Sequence, residues 1–267
     1  MDETHEDLQR VLVTGADGLI GRLVMEELGD RYDLIGLARN LSGYATVIAD
    51  ITDLEALVSA MEGVDAVVHL AADSSVSAPW ERVLPDNIVG TYNVFEAARR
   101  AGVERVVFAS SNHAIGTYEL EGAPEIYELD DPRAYDHTAE VRPDSLYGVS
   151  KVFGEALGRY YADHHGMRVF CLRIGGVRSP DDPTHPTQLW ADMSDTSPET
   201  VAKRKRMRAV WLSERDCIQL IDRCLQSEER WGLVYGISDN PRQFWDLGHA
   251  RGLLGYNPRD GAPERVE

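Results

Sequence analysis

Cysteine and lysine are both scarce in this chain of 267 residues, and each shortage excludes something. Only Cys171, Cys217 and Cys224 occur, an odd number with no Cys-x-x-Cys or Cys/His ligand spacing, so neither a disulfide framework nor a zinc site is expected. Cys217 and Cys224 lie in the apolar-periodic segment CIQLIDRCL and read as buried thiols facing a core. Long hydrophobic runs are missing too. No stretch approaches the ~18 apolar residues of a membrane-spanning helix, and MDETHEDLQR lacks the basic and apolar regions of a secretory signal, so a soluble cytoplasmic protein is expected.

Positive charge is the second shortage. Lys151, Lys203 and Lys205 are the only lysines, and the formal net charge is -18. Such a field repels phosphate backbones, which excludes a nucleic-acid partner. It fits adaptation to a high-salt cytoplasm, with molar salt screening the self-repulsion. A hydrophobic content of 43% is ample for a large core in one compact domain with a small appendage.

What is present is a repeating strand-helix pattern. The apolar run Val11–Thr14 meets Gly15, Gly18 and Gly21, after which Leu19, Leu23, Val24 and Leu28 recur at helical spacing. Strands are expected at Asp33–Ala38, Thr46–Asp50, Asp65–Leu70, Arg105–Ala109, Arg168–Ile174 and Leu233–Ile237. Helices are expected at Asp53–Met61, Asn87–Ala101, Leu146–His164 and Glu214–Leu225. The alternation implies right-handed crossovers: an α/β Rossmann fold, a doubly wound parallel sheet, with a small C-terminal substrate-binding region. The division expected is 1–174 for dinucleotide binding and 175–267 mainly for substrate, with some return to the core. Residues 115–143 and 175–203 read as irregular, too long for idle connections.

Thr14-Gly15-Ala16-Asp17-Gly18-Leu19-Ile20-Gly21 has the spacing of a dinucleotide-binding turn. The first glycine permits the turn, the second lets backbone approach a pyrophosphate, and the third allows close helix-sheet packing. The residue closing the second strand reads the adenosine ribose, an acid for a 2'-hydroxyl and an arginine for a 2'-phosphate. Arg39 stands there while Asp33 is at the wrong end, which favours NADP over NAD, although a solvated surface arginine is the alternative. Asp50 is a candidate partner for the adenine, or a turn residue.

Tyr147-Gly148-Val149-Ser150-Lys151 sets a phenol and an ammonium four residues apart, on one helix face. A tyrosine ionising near pH ~10 is a poor base at neutrality, and a neighbouring ammonium is expected to lower that value. The strand RVVFA leads into Ser110-Ser111-Asn112-His113, at the sheet edge where such folds place ligands.

With these elements the chain resembles the extended short-chain dehydrogenases, whose signature is TGxxGxxG, a serine after the fifth strand, and YxxxK. FASSNHAIG and RPDSLYGVSKVFGE resemble more narrowly the uronate dehydrogenases and the sugar 1-dehydrogenases of halophilic archaea. The likeness covers nearly the whole chain, including VWLSERD and LLGYNPRD. It implies Ser111, Tyr147 and Lys151 as catalytic residues. Substrate contacts are implied at Ser75, Ser111, Asn112, His113, Tyr147 and Arg206. The cofactor contacts implied are Gly15, Asp17, Gly18, Leu19, Ile20, Gly21, Arg39, Asp50, Ile51, Leu70, Ala71, Ala72, Asn87, Tyr147, Lys151 and Ile174, with Asn87, opening a helix, steadying the lysine through water or serving instead as an N-cap or a buried amide. No metal is implied.

The reaction implied is oxidation of a free aldose at C1 to a lactone, with hydride transfer to NADP, NAD being possible, and an L-arabinose or galactose type of sugar preferred. A uronate dehydrogenase or a glucose-6-phosphate dehydrogenase using NAD is the alternative within the family. Arg206 matches an arginine that pairs with a sugar carboxylate in uronate dehydrogenases, but it sits in the run Lys203–Arg208, which reads equally as a solvated or subunit-contact face. A homo-oligomer, dimer or tetramer, is the family habit. The competing reading from another class is a non-enzymatic NADP-binding sensor, which the intact Tyr/Lys pair disfavours.

Overall fold

A computed structural model describes residues 9–186, 192 and 194–264 of the chain. Among the described residues, seven strands form one parallel sheet in the order β3-β2-β1-β4-β5-β6-β7. They are β1 (Arg10–Thr14), β2 (Asp33–Ala38), β3 (Val47–Ile48), β4 (Ala66–His69), β5 (Arg105–Ser111), β6 (Arg168–Ile174) and β7 (Trp231–Gly236). Each central strand is buried on both faces. Val11, Val13, Ala66, Val68, Val107, Phe170 and Leu172 point into one core, whereas Leu12, Val67, Val106, Phe108, Val169 and Cys171 point into the other.

The helices complete the two covering layers: α1 (Leu19–Glu27), α2 (Leu54–Ala60), α3 (Trp80–Val83), α4 (Gly90–Ala101), α5 (Thr117–Gly122), α6 (Leu146–His165), α7 (Pro198–Val210), α8 (Glu214–Gln226) and α9 (Gly248–Leu254). Side-chain caps start several of them: Asp53 on α2, Ser145 on α6, Ser213 on α8. The order reverses between β1 and β4, both of which start from the middle of the sheet, so a crevice opens at their carboxyl ends. β7 pairs with β6 in parallel, so the chain returns to the sheet after residue 175. All three thiols are buried.

Three expectations need correction. Asn87 does not open a helix: the backbone is helical from residue 80 to 101, and Asn87 sits in a π-helical stretch, Leu84–Val89, joining α3 to α4. Pro79 is the N-cap of α3 and Pro85 lies at the start of the wider turn, where a missing N–H costs little. Residues 115–143 contain α5 and a 3-10 turn at Glu125–Tyr127, both too short to show a period. Residues 175–203 run into α7, which starts at Pro198 and carries charge on every side. Among the described residues no helix is long and apolar enough to cross a membrane.

Candidate active site

Two adjoining cavities of about 400 and 290 Å³ share Gly15, Gly18, Leu70 and Ala72 on their walls. Together they make one crevice along the carboxyl edge of the sheet. The smaller is flanked by Arg39, Asp50, Ile51 and Asp86, with Asp17 and Ala71 on its wall. The larger runs past Leu19, Ile20 and Gly21 to Ser111, Tyr147 and Lys151, with Asn112, His113, Ile174 and Arg206 around the far end.

The glycine turn fits a dinucleotide. Gly15 has φ 73°, and a Cβ there would lie 2.9 Å from the Ala71 nitrogen. A Cβ on Gly21 would overlap the Gly15 carbonyl, so the third glycine is what lets α1 start against the turn. Gly18 is the N-cap of α1 and offers no side chain to its first N–H groups, which leaves those donors and the helix dipole for an anion in the crevice. The residues present therefore fit a pyrophosphate-bearing dinucleotide lying along the crevice, whose two ends would be an adenosine end on the side of Arg39 and a nicotinamide end on the side of Tyr147.

At the adenosine end Arg39 is well exposed and only loosely paired, its Nη1 lying 3.8 Å from Asp86. Asp50 accepts from the Thr52 backbone N–H at 2.9 Å, and this bond, with lesser help from Arg39, holds its carboxyl below the usual range. Asp17 accepts from the Ser42 hydroxyl.

At the reacting end Tyr147 and Lys151 lie on one face of α6, and the Lys151 ammonium stands 5.3 Å from the Tyr147 ring centre and 5.1 Å from that of Phe108. It donates to the Ala109 carbonyl at 2.8 Å. Burial lowers its pKa to about 8, partly offset by Glu155 one turn further along the helix. Burial pushes the Tyr147 phenol upward, opposed by hydrogen bonding from Ser111 and reinforced by the charges of Asp144 and Asp73. The expected lowering of the phenol by Lys151 is thus not what the balance gives, because removing both groups from water costs each its charged form. The Ser111 hydroxyl donates to Asn112 Oδ1 at 3.3 Å and accepts the His113 backbone N–H at 3.2 Å.

Three features had no signal in the sequence. The Asp144 carboxylate, just ahead of α6, bonds His113 Nδ1 at 2.6 Å; burial raises its pKa, but His113 and Ser145 outweigh that and hold it below the usual range. Gly116 and Gly148 make this possible, since a side chain on either would overlap Asp144 or the His113 carbonyl. Beneath Ser111, Glu155 accepts from Ser110 at 2.5 Å and from Arg173 at 2.9 Å through each of its oxygens, a pair buried in the core. Finally, Arg206 donates through Nε to Glu119 at 2.6 Å, across 87 residues of sequence.

Two expected contacts lie elsewhere. Ser75 is exposed and bonds Ser77 at 3.1 Å, at the start of a turn closed by the Ala78 N–H on the Ser75 carbonyl, while Ser74 and Val76 line the crevice. Asn87 is a buried amide that donates to the Asp73 carbonyl at 2.9 Å and to Ser150 Oγ at 3.1 Å and lines neither cavity. In the basic run, Lys203 and Lys205 pair with Glu199 and Glu128, and Arg206 alone faces the larger cavity.

A parallel sheet with a crossover crevice, a glycine turn at one end and a Ser/Tyr/Lys cluster at the other defines an extended short-chain dehydrogenase fold and site. The chain belongs to the NAD dependent epimerase/dehydratase family, whose model matches residues 11–236. It is 40% identical over 267 residues to the NAD-dependent glucose-6-phosphate dehydrogenase of Haloferax volcanii, covering 96% of this chain and 95% of the relative. It is equally 40% identical to the L-arabinose 1-dehydrogenase (NAD(P)(+)) of the same organism, covering 97% of this chain and 100% of the relative. The solved uronate dehydrogenase of Agrobacterium tumefaciens superimposes with a TM-score of 0.75 at 33% identity, covering 96% of this chain and 86% of that one.

Proposed function

We propose that this protein is an NAD(P)-dependent sugar dehydrogenase that oxidises a neutral aldose at C1 to the lactone. The observation that carries the reading is the convergence of Ser111, Tyr147 and Lys151 at one end of a crevice whose other end is the glycine turn. A bound oxidised nicotinamide dinucleotide supplies the hydride acceptor. Ser111 donates a hydrogen bond to the anomeric oxygen and Tyr147 takes the proton that leaves it, with the Lys151 ammonium beside its ring and the positive charge of a bound oxidised nicotinamide opposing the burial that raises the phenol in the free protein. His113, held by Asp144, and Asn112 orient the ring.

A neutral sugar is favoured because Arg206, the cation at the far end, has the Glu119 carboxylate beside it, and a second carboxylate, Asp144, lies against His113. The uronate or sugar-phosphate reading rests on Arg206 Nη1, which takes no part in the bonds to Glu119. Arg39, exposed at the adenosine end, supports NADP as the preferred cofactor with NAD accepted. We assign dinucleotide binding mainly to residues 1–174, and to residues 175–267 a mainly substrate-binding role with some return to the core. The acidic composition supports a salt-rich cytoplasm. A homo-oligomer joined through α4 and α6 is supported by Tyr92, Val149 and Tyr160, each about half exposed on those helices.

The test is purified protein with NAD or NADP against a panel of aldoses, uronates and sugar phosphates, followed by the absorbance of the reduced cofactor, with lactone identified as product. Tyr147→Phe should cut turnover by at least about a thousandfold while cofactor affinity stays within a few-fold. Substantial activity in that variant, or no response to any sugar, overturns the reading.

A further inference from the structure

We infer that Glu119 is a specificity-determining residue, one that occupies Arg206 and so makes the sugar site select uncharged over anionic sugars. The inference rests on the proposed sugar dehydrogenase activity and deepens it.

Arg206 stands on α7 with its guanidinium at the wall of the larger cavity, the position from which a cation would meet the end of a sugar remote from Tyr147. In water-poor surroundings a lone guanidinium there would be a strong anion site. It is not alone. Glu119, on α5, takes two of its donors, Nε at 2.6 Å and Nη2 at 3.3 Å. The Glu119 side chain is only 3% exposed, so the pair is not loosened by solvent, whereas the arginine keeps 31% of its side chain accessible from the crevice. Tyr127 donates a further hydrogen bond to Glu119 Oε1 at 2.9 Å from within the core, which fixes the carboxylate behind the arginine. Asp144 adds a second negative charge that Arg206 feels.

An incoming carboxylate or phosphate would therefore meet one partly committed cation and two carboxylates, and would have to displace or share the bonds from Nε and Nη2. A hydroxymethyl group, or nothing at all on a pentose, meets no such penalty and can bond through Nη1. A sugar hydroxyl can also donate where an anion cannot, since it carries a proton. Discrimination of this kind works by repulsion as much as by attraction.

The experiment compares matched sugars that differ only at C6, galactose with galacturonate and glucose with glucose 6-phosphate, by calorimetric dissociation constants in the presence of reduced cofactor and by oxidation rates with oxidised cofactor. The wild type should bind the neutral member of each pair more tightly. In Glu119→Gln, which keeps the shape and can still accept from Arg206, the neutral-to-anionic affinity ratio should fall by at least about tenfold. Glu119→Asp, which keeps the charge, should hold most of the wild-type ratio, and thermal melting reports whether either variant folds. A purely structural role would change both members of a pair alike. Tighter wild-type binding of the anionic sugars, an unchanged ratio in Glu119→Gln, or weaker anion binding in that variant overturns the inference; the first of these decides it without any variant. If the wild type oxidises no sugar of either kind, it is the enzymatic reading that fails instead.

Discussion

Replacing Lys151 with methionine should abolish turnover and at the same time stabilise the fold. The Lys151 side chain is buried, and burial brings its pKa down from 10.5 to about 8 even with Glu155 nearby. That displacement corresponds to a cost on the order of 3 kcal/mol for keeping the ammonium in the folded protein at neutral pH. Methionine has similar length and no charge. The loss on the other side is the charged hydrogen bond to the Ala109 carbonyl, worth about 1.5 kcal/mol. The net expectation at pH 7 is about 1–2 kcal/mol of added stability, which for a chain of this size raises the melting temperature by roughly 2–4 °C. The pH dependence gives the sharper check. Unfolded, Lys151 keeps its proton up to 10.5, whereas folded it releases it near 8. Between those limits the unfolded state binds more protons, so wild-type stability rises with pH by about 1.4 kcal/mol per unit from this one group. The advantage of Lys151→Met should therefore be full below pH 8 and shrink steadily toward pH 10. Paired thermal melts followed by circular dichroism from pH 6.5 to 10, at fixed molar KCl, measure it. A variant that melts below the wild type at pH 7, or a gap that does not change with pH, refutes the reasoning.

Other outcomes follow from the same structure. Arg39→Asp should lower the ratio of NADP to NAD efficiency by more than about tenfold, read as kcat/KM for each cofactor; an unmoved ratio removes Arg39 from cofactor choice. Gly21→Ala sets a methyl group against the Gly15 carbonyl and should cost about 1–3 kcal/mol of stability and weaken dinucleotide binding at least tenfold by calorimetry, so normal affinity in that variant would show the turn to be slack. With a net charge of -18 the melting temperature should climb as KCl is raised toward molar concentrations, and a flat response would detach the acidic composition from salt.

Much of the architecture was legible because it depends on local pattern. The strands Asp33–Ala38 and Arg168–Ile174 occur with the limits that their apolar runs suggest, and α6 ends within a residue of its expected terminus. Apolar periodicity failed where an element is short, as in α5, where charges surround the helix, as in α7, or where prolines are absorbed by a cap and a π turn, as between Pro79 and Val89. The crevice itself was legible to the extent that its residues come from segments immediately following strands. Ser75 was misplaced because a loop without periodicity does not say which of two neighbours turns inward.

By its sequence, then, this chain determined the alternation of strands and helices, the glycine turn and the four-residue spacing of Tyr147 and Lys151, all of which act over a few residues and are set by steric limits and helical pitch. Only the tertiary structure decided how those groups are charged and which partners they hold. Glu119 meets Arg206, Asp144 meets His113, and Glu155 meets Arg173 because the sheet order and the long connections bring distant segments together. Burial, which no single segment possesses, raises the Tyr147 phenol and lowers the Lys151 ammonium by withdrawing both from water.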